Sequence, residues 1–92
     1  MSNVIVRFPA VLQPYVDGHS QLAIEASTVR QALAEVCASH PLLRSRVFEP
    51  GGELRPFVNV FRGESRVRSA EDLATTLQEG EVITLLPAVA GG

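Results

Sequence analysis

The alternation of apolar and polar residues along the first quarter of the chain predicts two β-strands. The first covers residues 4–8 and the second covers residues 21–25, because side chains at every second position of a strand face the same way. A long connection with proline and Asp-Gly turn signals separates them. The residues expected to face inward are Val4, Val6, Phe8, Leu22 and Ile24.

A helical pattern of apolar residues follows the second strand. Thr28, with Gln31 three residues later, has the spacing of a capping box that opens a helix. Pro41 is expected to end or redirect this helix, and residues 42–48 are expected to add a short turn. The predicted apolar stripe contains Val29, Ala32, Leu33, Val36, Cys37 and His40.

Two further strands are predicted in the second half, over residues 57–61 and 82–86. A turn is expected at residues 63–65, and a short helical turn within residues 69–77. The order strand-strand-helix-strand-strand predicts an α+β fold of the β-grasp (ubiquitin-like) type, a mixed sheet packed on one main helix.

The final residues are the most informative part of the sequence. Pro87 has no N–H to donate and is expected to stop the last strand. Residues 1–86 are therefore predicted to form the β-grasp domain, and residues 87–92 an extended flexible tail. Six extended residues reach about 20 Å. Because Gly91 and Gly92 lack Cβ atoms, a narrow channel in another protein could admit the terminal carboxylate.

Composition sets limits on the class of protein. A chain of 92 residues with 46% apolar and 20% charged residues is expected to form one folded domain. The net charge of −2 argues against a nucleic-acid partner. No apolar run approaches the ~18 residues of a membrane span. One cysteine and no leader-like N-terminus predict a cytoplasmic protein.

All eight basic residues are arginines, and the sequence has no lysine. A protein without an ε-amine cannot accept an isopeptide bond, except at its N-terminus. Chains of linked copies, as ubiquitin forms them, are therefore disfavoured.

The side chains offer no catalytic arrangement by spacing. Cys37 lies on the apolar stripe and is expected to be a buried structural thiol. His40 is expected to interact with the last helix carbonyls, whereas His19 lies in a polar loop. One cysteine and two scattered histidines do not predict a metal site. The reactive group is therefore expected to be the carboxylate of Gly92.

Two acidic clusters flank turns and are expected to be solvated surface. They are Glu71 with Asp72, and Glu79 with Glu81.

The third strand predicts a docking face. If Val58 and Val60 face inward, then Phe57, Asn59 and Phe61 lie on the opposite face of the sheet. Together with Ile5 they would form an apolar patch of the kind that marks interfaces. The alternative is that a short helix or the first connection covers this face.

Several segments resemble the small β-grasp sulfur carriers, the ThiS/MoaD-like family. These segments are residues 4–9, 55–61, 73–75 and, most clearly, 82–92. The family includes the molybdopterin-synthase small subunit, the thiazole sulfur carrier and the cysteine-biosynthesis carrier. The terminal Pro-Ala-Val-Ala-Gly-Gly and the strand Phe-Val-Asn-Val-Phe most resemble the cysteine-biosynthesis type. The tail also resembles that of the molybdopterin subunit.

The resemblance implies a carrier that is a protein co-substrate rather than an enzyme. An adenylating and sulfur-transferring enzyme of the ubiquitin-activating type would use ATP to convert the Gly92 carboxylate into a thiocarboxylate. A cysteine synthase that uses pyridoxal phosphate (PLP) would accept the sulfur, and a zinc metalloprotease would release the product. These cofactors belong to the partners, and the carrier itself is expected to bind none. The tail inserted into partner active sites would comprise Pro87, Ala88, Val89, Ala90, Gly91 and Gly92.

Other functions use the same tail. The chain could be a molybdopterin-synthase small subunit, or it could donate sulfur to a specialised metabolite or to tRNA thiolation. One carrier could also serve several enzymes. A ubiquitin-like modifier would join Gly92 to target lysines, and a plain interaction module would leave the tail idle.

Overall fold

The computed structural model describes residues 1–88. Five strands form one sheet, on which the helices pack. The strands are β1 (Ser2–Arg7), β2 (Gln21–Ala26), β3 (Val58–Arg62), β4 (Ser65–Val67) and β5 (Val82–Pro87). The helices are α1 (Val29–Ser39), α2 (Pro41–Val47) and α3 (Ala70–Leu73), and a 3₁₀ helix spans Gln13–Val16. Within residues 1–88, no helix has the length and hydropathy of a bilayer span.

The strand order β2-β1-β5-β3-β4 makes the sheet mixed. The central strands β1 and β5 run parallel, and every other neighbouring pair is antiparallel. This is a ubiquitin-like β-grasp, as predicted. The sequence pattern missed β4, because three residues are too few to show an alternation. Gly63, at φ 58° in the left-handed region, begins the turn that brings β4 beside β3.

The core lies between one face of the sheet and α1. The inward residues predicted for β1 are buried, and Leu22 and Ile24 of β2 are half-buried against the same core. Five of the six predicted stripe residues of α1 are buried, whereas His40 is only partly so.

Both ends of α1 follow the prediction. The Thr28 hydroxyl accepts a 3.1 Å hydrogen bond from the Gln31 N–H. The Gln31 side chain accepts a 2.6 Å bond from the Ser27 N–H, one residue before the cap. At the other end α1 stops at Ser39, and Pro41 opens α2.

The end of β5 differs from the prediction. Pro87 does not stop the strand, because it pairs with Val58 and is itself the last residue of β5. The Ala88 N–H then donates a 2.8 Å hydrogen bond to the Phe57 carbonyl. Val58 and Pro87 thus form a non-hydrogen-bonded pair of the antiparallel ladder, in which the pairs on either side make the hydrogen bonds. The missing N–H of Pro87 therefore leaves no ladder bond unmade.

Candidate functional site

The base of the tail is held on the sheet. Pro87 is the last residue of β5, and Ala88 is hydrogen-bonded to Phe57. The remaining tail residues, Val89, Ala90, Gly91 and Gly92, lie outside the described residues. Four residues can extend at most ~14 Å, compared with the ~20 Å expected for six. A partner that takes up the terminal carboxylate must therefore come close to Ala88.

The face of the sheet opposite the core carries an apolar stripe along β5. Ile5 lies opposite Val82, Phe61 opposite Thr84, and Asn59 opposite Leu86. The buried residues of the short helices α2 and α3, of α1 and of the 3₁₀ helix all pack in the core on the other face. The predicted face is therefore not covered by these elements. These six residues, called the sheet stripe below, are Ile5, Val82, Thr84, Phe61, Leu86 and Asn59.

The sheet stripe leads to the tail. The stripe runs along β5 from Val82 to Leu86, which lies two residues before Ala88. Leu86 is 43% exposed, and the other stripe residues are half-buried. The sequence pattern identified Ile5, Asn59 and Phe61, but it missed Val82 and Leu86, because pairing between distant strands decides which residues share the face.

The structure separates Phe57 from Ile5, with which the sequence pattern groups it. Phe57 precedes β3 and lies beside Ala88. Ile5 is paired with Val82, six residues earlier on β5, which corresponds to about 20 Å of strand. Phe57 instead lines a groove at the base of the tail.

Two arginines flank the sheet stripe. Arg7 of β1 lies opposite Thr84, and Arg66 of β4 lies opposite Phe61. The Arg66 guanidinium donates a 2.6 Å hydrogen bond to the Asn59 side-chain oxygen. Within residues 1–88 neither arginine forms an ion pair. The apolar stripe therefore has a basic rim, although the whole chain is weakly acidic.

The single thiol is placed as the sequence predicted. Cys37 is 4% exposed and packs in the core. Burial raises the pKa of the Cys37 thiol, and the nearby Arg44 offsets only part of this rise. A protonated, inaccessible thiol is a poor nucleophile.

The histidine at the end of α1 contacts a helix carbonyl through its backbone, since the His40 N–H donates a 2.9 Å hydrogen bond to the Val36 carbonyl. The His40 ring Nδ1 lies 3.6 Å from the Asp17 carboxylate. His19 is exposed. Across residues 1–88, no three His, Cys, Asp or Glu side chains are grouped as a metal site would require.

In the acidic clusters Glu71 and Glu79 are exposed, whereas Asp72 and Glu81 are half-buried. All but Glu71 accept hydrogen bonds from backbone N–H groups. Asp72 accepts hydrogen bonds from the Arg68 and Ser69 N–H groups, which lower its pKa. Glu79 accepts bonds from the Asn3 N–H and side-chain amide, both 2.9 Å, with the same effect on its pKa. The expectation of merely solvated surface was therefore incomplete.

Glu81 completes this set. It accepts a 2.6 Å bond from the Gln78 N–H, the main reason its pKa is lowered, and a 2.7 Å bond from Arg62. It thereby fixes the turn that leads into β5, the strand that ends in the tail.

Comparison with known proteins agrees with this geometry. Residues 6–92 match the ThiS family, which includes the tail. The chain belongs to the ThiS family. It is a sulfur carrier protein of the ThiS/MoaD group, similar to the sulfur carrier protein CysO of Mycobacterium tuberculosis. The two are 33% identical over 92 residues, which cover 98% of this chain and 99% of CysO.

Solved structures of the family share the fold. The crystal structure of Mycobacterium tuberculosis CysO superposes with a TM-score of 0.85 at 30% identity, covering 95% of this chain and 100% of CysO. A chain of the Amycolatopsis orientalis BexX/CysO complex gives 0.84 at 29% identity, covering 97% and 99%. The crystal structure of small archaeal modifier protein 1 from Haloferax volcanii gives 0.81 at 30% identity, covering 99% and 100%. The proteins that resemble this chain are thus named as CysO or as a small archaeal modifier protein, and one CysO was solved in a complex with BexX.

Proposed function

We propose that this protein carries sulfur as a thiocarboxylate on Gly92 and delivers it for cysteine biosynthesis. The observation that carries the proposal is the family match through residue 92, which includes the terminal Gly-Gly. The similarity to CysO over nearly the full length of both chains favours the cysteine branch. The protein acts as a co-substrate, and its partners supply the catalysis.

The chemistry proceeds in two balanced steps. A Gly92 carboxylate oxygen attacks the α-phosphorus of ATP, forming an acyl-adenylate and releasing pyrophosphate. Hydrosulfide then attacks the carbonyl carbon, AMP leaves with the original oxygen, and the thiocarboxylate remains after loss of a proton. Activation is required because a free carboxylate is a poor electrophile, whereas AMP is a good leaving group.

The sheet stripe serves as the docking face for the activating enzyme. Its apolar residues lie on an open face and run towards Ala88, so a partner seated there is also close to the tail. Phe61 is already half-buried, so an interface buries only the rest of its side chain and gains less than the ~1.5–3 kcal/mol of complete burial. The paired end of β5 limits the freedom of the tail base, which lowers the entropy lost when the tail enters a channel.

Delivery requires a second enzyme. The thiocarboxylate sulfur is a nucleophile, and a PLP-dependent synthase presents the carbon that it attacks. The resulting thioester becomes an amide when the acyl group shifts from sulfur to the amine of the new cysteine. A zinc metalloprotease then hydrolyses that amide, which frees cysteine and regenerates the Gly92 carboxylate. ATP, PLP and zinc are all bound by these partners.

Intact mass spectrometry tests the proposal. The protein is incubated with ATP, sulfide and the adenylating enzyme of the same organism. The expected result is a mass gain that matches one oxygen replaced by one sulfur, and a variant without Gly92 serves as the control. The proposal fails if the wild-type mass does not change, or if the variant gains the same mass.

A ubiquitin-like modifier is the second candidate, because small archaeal modifier protein 1 of Haloferax volcanii is 38% identical over 66 residues, 72% of this chain and 71% of that protein. Modification would join Gly92 to lysines of other proteins. Because this chain has no lysine, copies could be linked to one another only through the N-terminus. Isopeptide adducts in the organism's lysate, with no thiocarboxylate, would favour this function.

A further inference from the structure

An apolar groove lies at the base of the tail, on the core side of the sheet end. Its volume is about 290 Å³. It opens between the 3₁₀ helix, α2 and the end of β5. Six of its lining residues, called the tail groove below, are Val11, Tyr15, Arg46, Phe57, Pro87 and Ala88.

The tail groove concentrates exposed apolar surface. Val11 is 60% exposed and Phe57 is 54% exposed, and both line it. Isolated apolar residues are common on protein surfaces, as Leu42 on α2 illustrates at 74% exposure. Two large exposed side chains that converge on one concave site indicate a binding surface instead.

Arg46 gives the tail groove a charge. Its guanidinium stacks 4.9 Å from the centre of the Tyr15 ring. Within residues 1–88 it forms no ion pair and donates no side-chain hydrogen bond. The ring holds the cation at the edge of an apolar site, while its N–H donors remain available. A matching occupant combines an apolar side chain with a neighbouring carboxylate.

The tail groove and the sheet stripe lie on opposite sides of β5. Leu86 faces the stripe, and Pro87, the next residue, faces the groove, because successive strand residues point in opposite directions. Both surfaces end at Ala88. The two surfaces therefore present different side chains to a partner that approaches the tail.

We propose that the tail groove is the docking site of the sulfur-accepting enzyme, which inserts an apolar side chain and pairs an adjacent carboxylate with Arg46. This inference rests on the proposed carrier function and adds a division of labour to it. The activating enzyme binds the sheet stripe and the sulfur-accepting enzyme binds the tail groove, so the two enzymes contact different faces of the carrier.

The test separates loading from delivery. Thiocarboxylated protein is prepared chemically, by cleaving an intein fusion with ammonium sulfide, and is given to the organism's PLP-dependent synthase. Val11→Glu and Arg46→Glu are expected to lower kcat/KM for sulfur transfer about tenfold or more. Enzymatic loading of both variants should stay within twofold of wild type. The Arg46→Glu defect should shrink at high salt, since screening weakens both attraction and repulsion.

Leu42→Glu is the matched control, because it adds the same charge at an exposed apolar position outside both surfaces. Melting temperatures verify that each variant folds. Transfer within twofold of wild type for both groove variants overturns the proposal, as does equal loss of loading and transfer. Failure of wild-type protein to be loaded enzymatically identifies a failure of the carrier function itself, and the inference falls with it.

Discussion

The Ala88 N–H donates a 2.8 Å hydrogen bond to the Phe57 carbonyl, which holds the chain on the sheet one residue beyond Pro87. The tail that can leave the sheet without breaking this bond is therefore four residues long. Its length matters because acyl transfer requires the reacting atoms to be positioned within a few tenths of an ångström.

Deletion of Ala90 is expected to abolish most loading. Removing one residue withdraws the terminal carboxylate by about 3.3–3.6 Å, and a misplacement of about 1 Å can already cost 100-fold. The rate of thiocarboxylate formation, followed by intact mass, should fall at least tenfold with an unchanged melting temperature. Val89→Ala keeps the length and serves as the control. A deletion variant that is loaded at the wild-type rate would show that the tail length is not limiting.

Phe61→Asp is expected to impair activation by about 10- to 100-fold in kcat/KM. The loss combines the remaining apolar burial that this half-buried side chain would supply with the cost of placing a carboxylate in an apolar interface. Because Phe61 lies on the face opposite the core, the fold should be retained, as circular dichroism can verify. Leu42→Asp is the matched control for an added charge. Unchanged loading kinetics of Phe61→Asp would remove the sheet stripe as the docking face.

Cys37 is expected to resist alkylation in the folded protein. It is 4% exposed, and burial raises its pKa above the usual 9.0. Reaction with iodoacetamide at pH 8 should be at least ~100-fold slower in buffer than in urea, since it requires local opening and an unfavourable thiolate. Ser39→Cys, at the exposed end of α1, should gain a fast-reacting site. Rapid labelling of wild-type protein would contradict the buried position.

Cys37 also makes the stability of the fold depend on alkaline pH, because its raised pKa favours the neutral thiol in the folded protein. Its contribution to stability is fully present below pH 9.0, its usual pKa, and is lost as the pH rises through the higher folded value.

Glu79 is expected to make stability depend on acid pH. Its pKa is lowered from 4.5 by the hydrogen bonds from Asn3, so its contribution is present above pH 4.5 and is lost as the pH falls through the folded value. The melting temperature of Glu79→Gln should lie below that of wild type at pH 7, and the gap should narrow as the pH falls below 4.5. Glu35→Gln, on the exposed face of α1, is the control. A gap that stays constant with pH would exclude the carboxylate as its cause.

The sequence predicted the parts of the fold that depend on local patterns. The alternation in β1, the helical stripe of α1 and the Thr28 cap each lie within a few residues of chain, and the structure confirms all three. The prediction was less accurate where elements end. It began β3 at Phe57 instead of Val58 and ended β5 before Pro87, because pairing with a neighbour, rather than local preference, sets those ends.

By itself, the sequence determined the β-grasp order, the buried thiol and the family to which the Gly-Gly tail belongs, because these are properties of neighbouring residues or of a motif. Only the tertiary structure decided that Ile5 meets Val82, 77 residues later, and that Phe57 joins Val11 and Arg46 in a groove. Such contacts depend on which strands pair once the apolar stripe of α1 is buried. A local pattern indicates which face of a strand is apolar, but only the assembled sheet brings distant residues onto one surface.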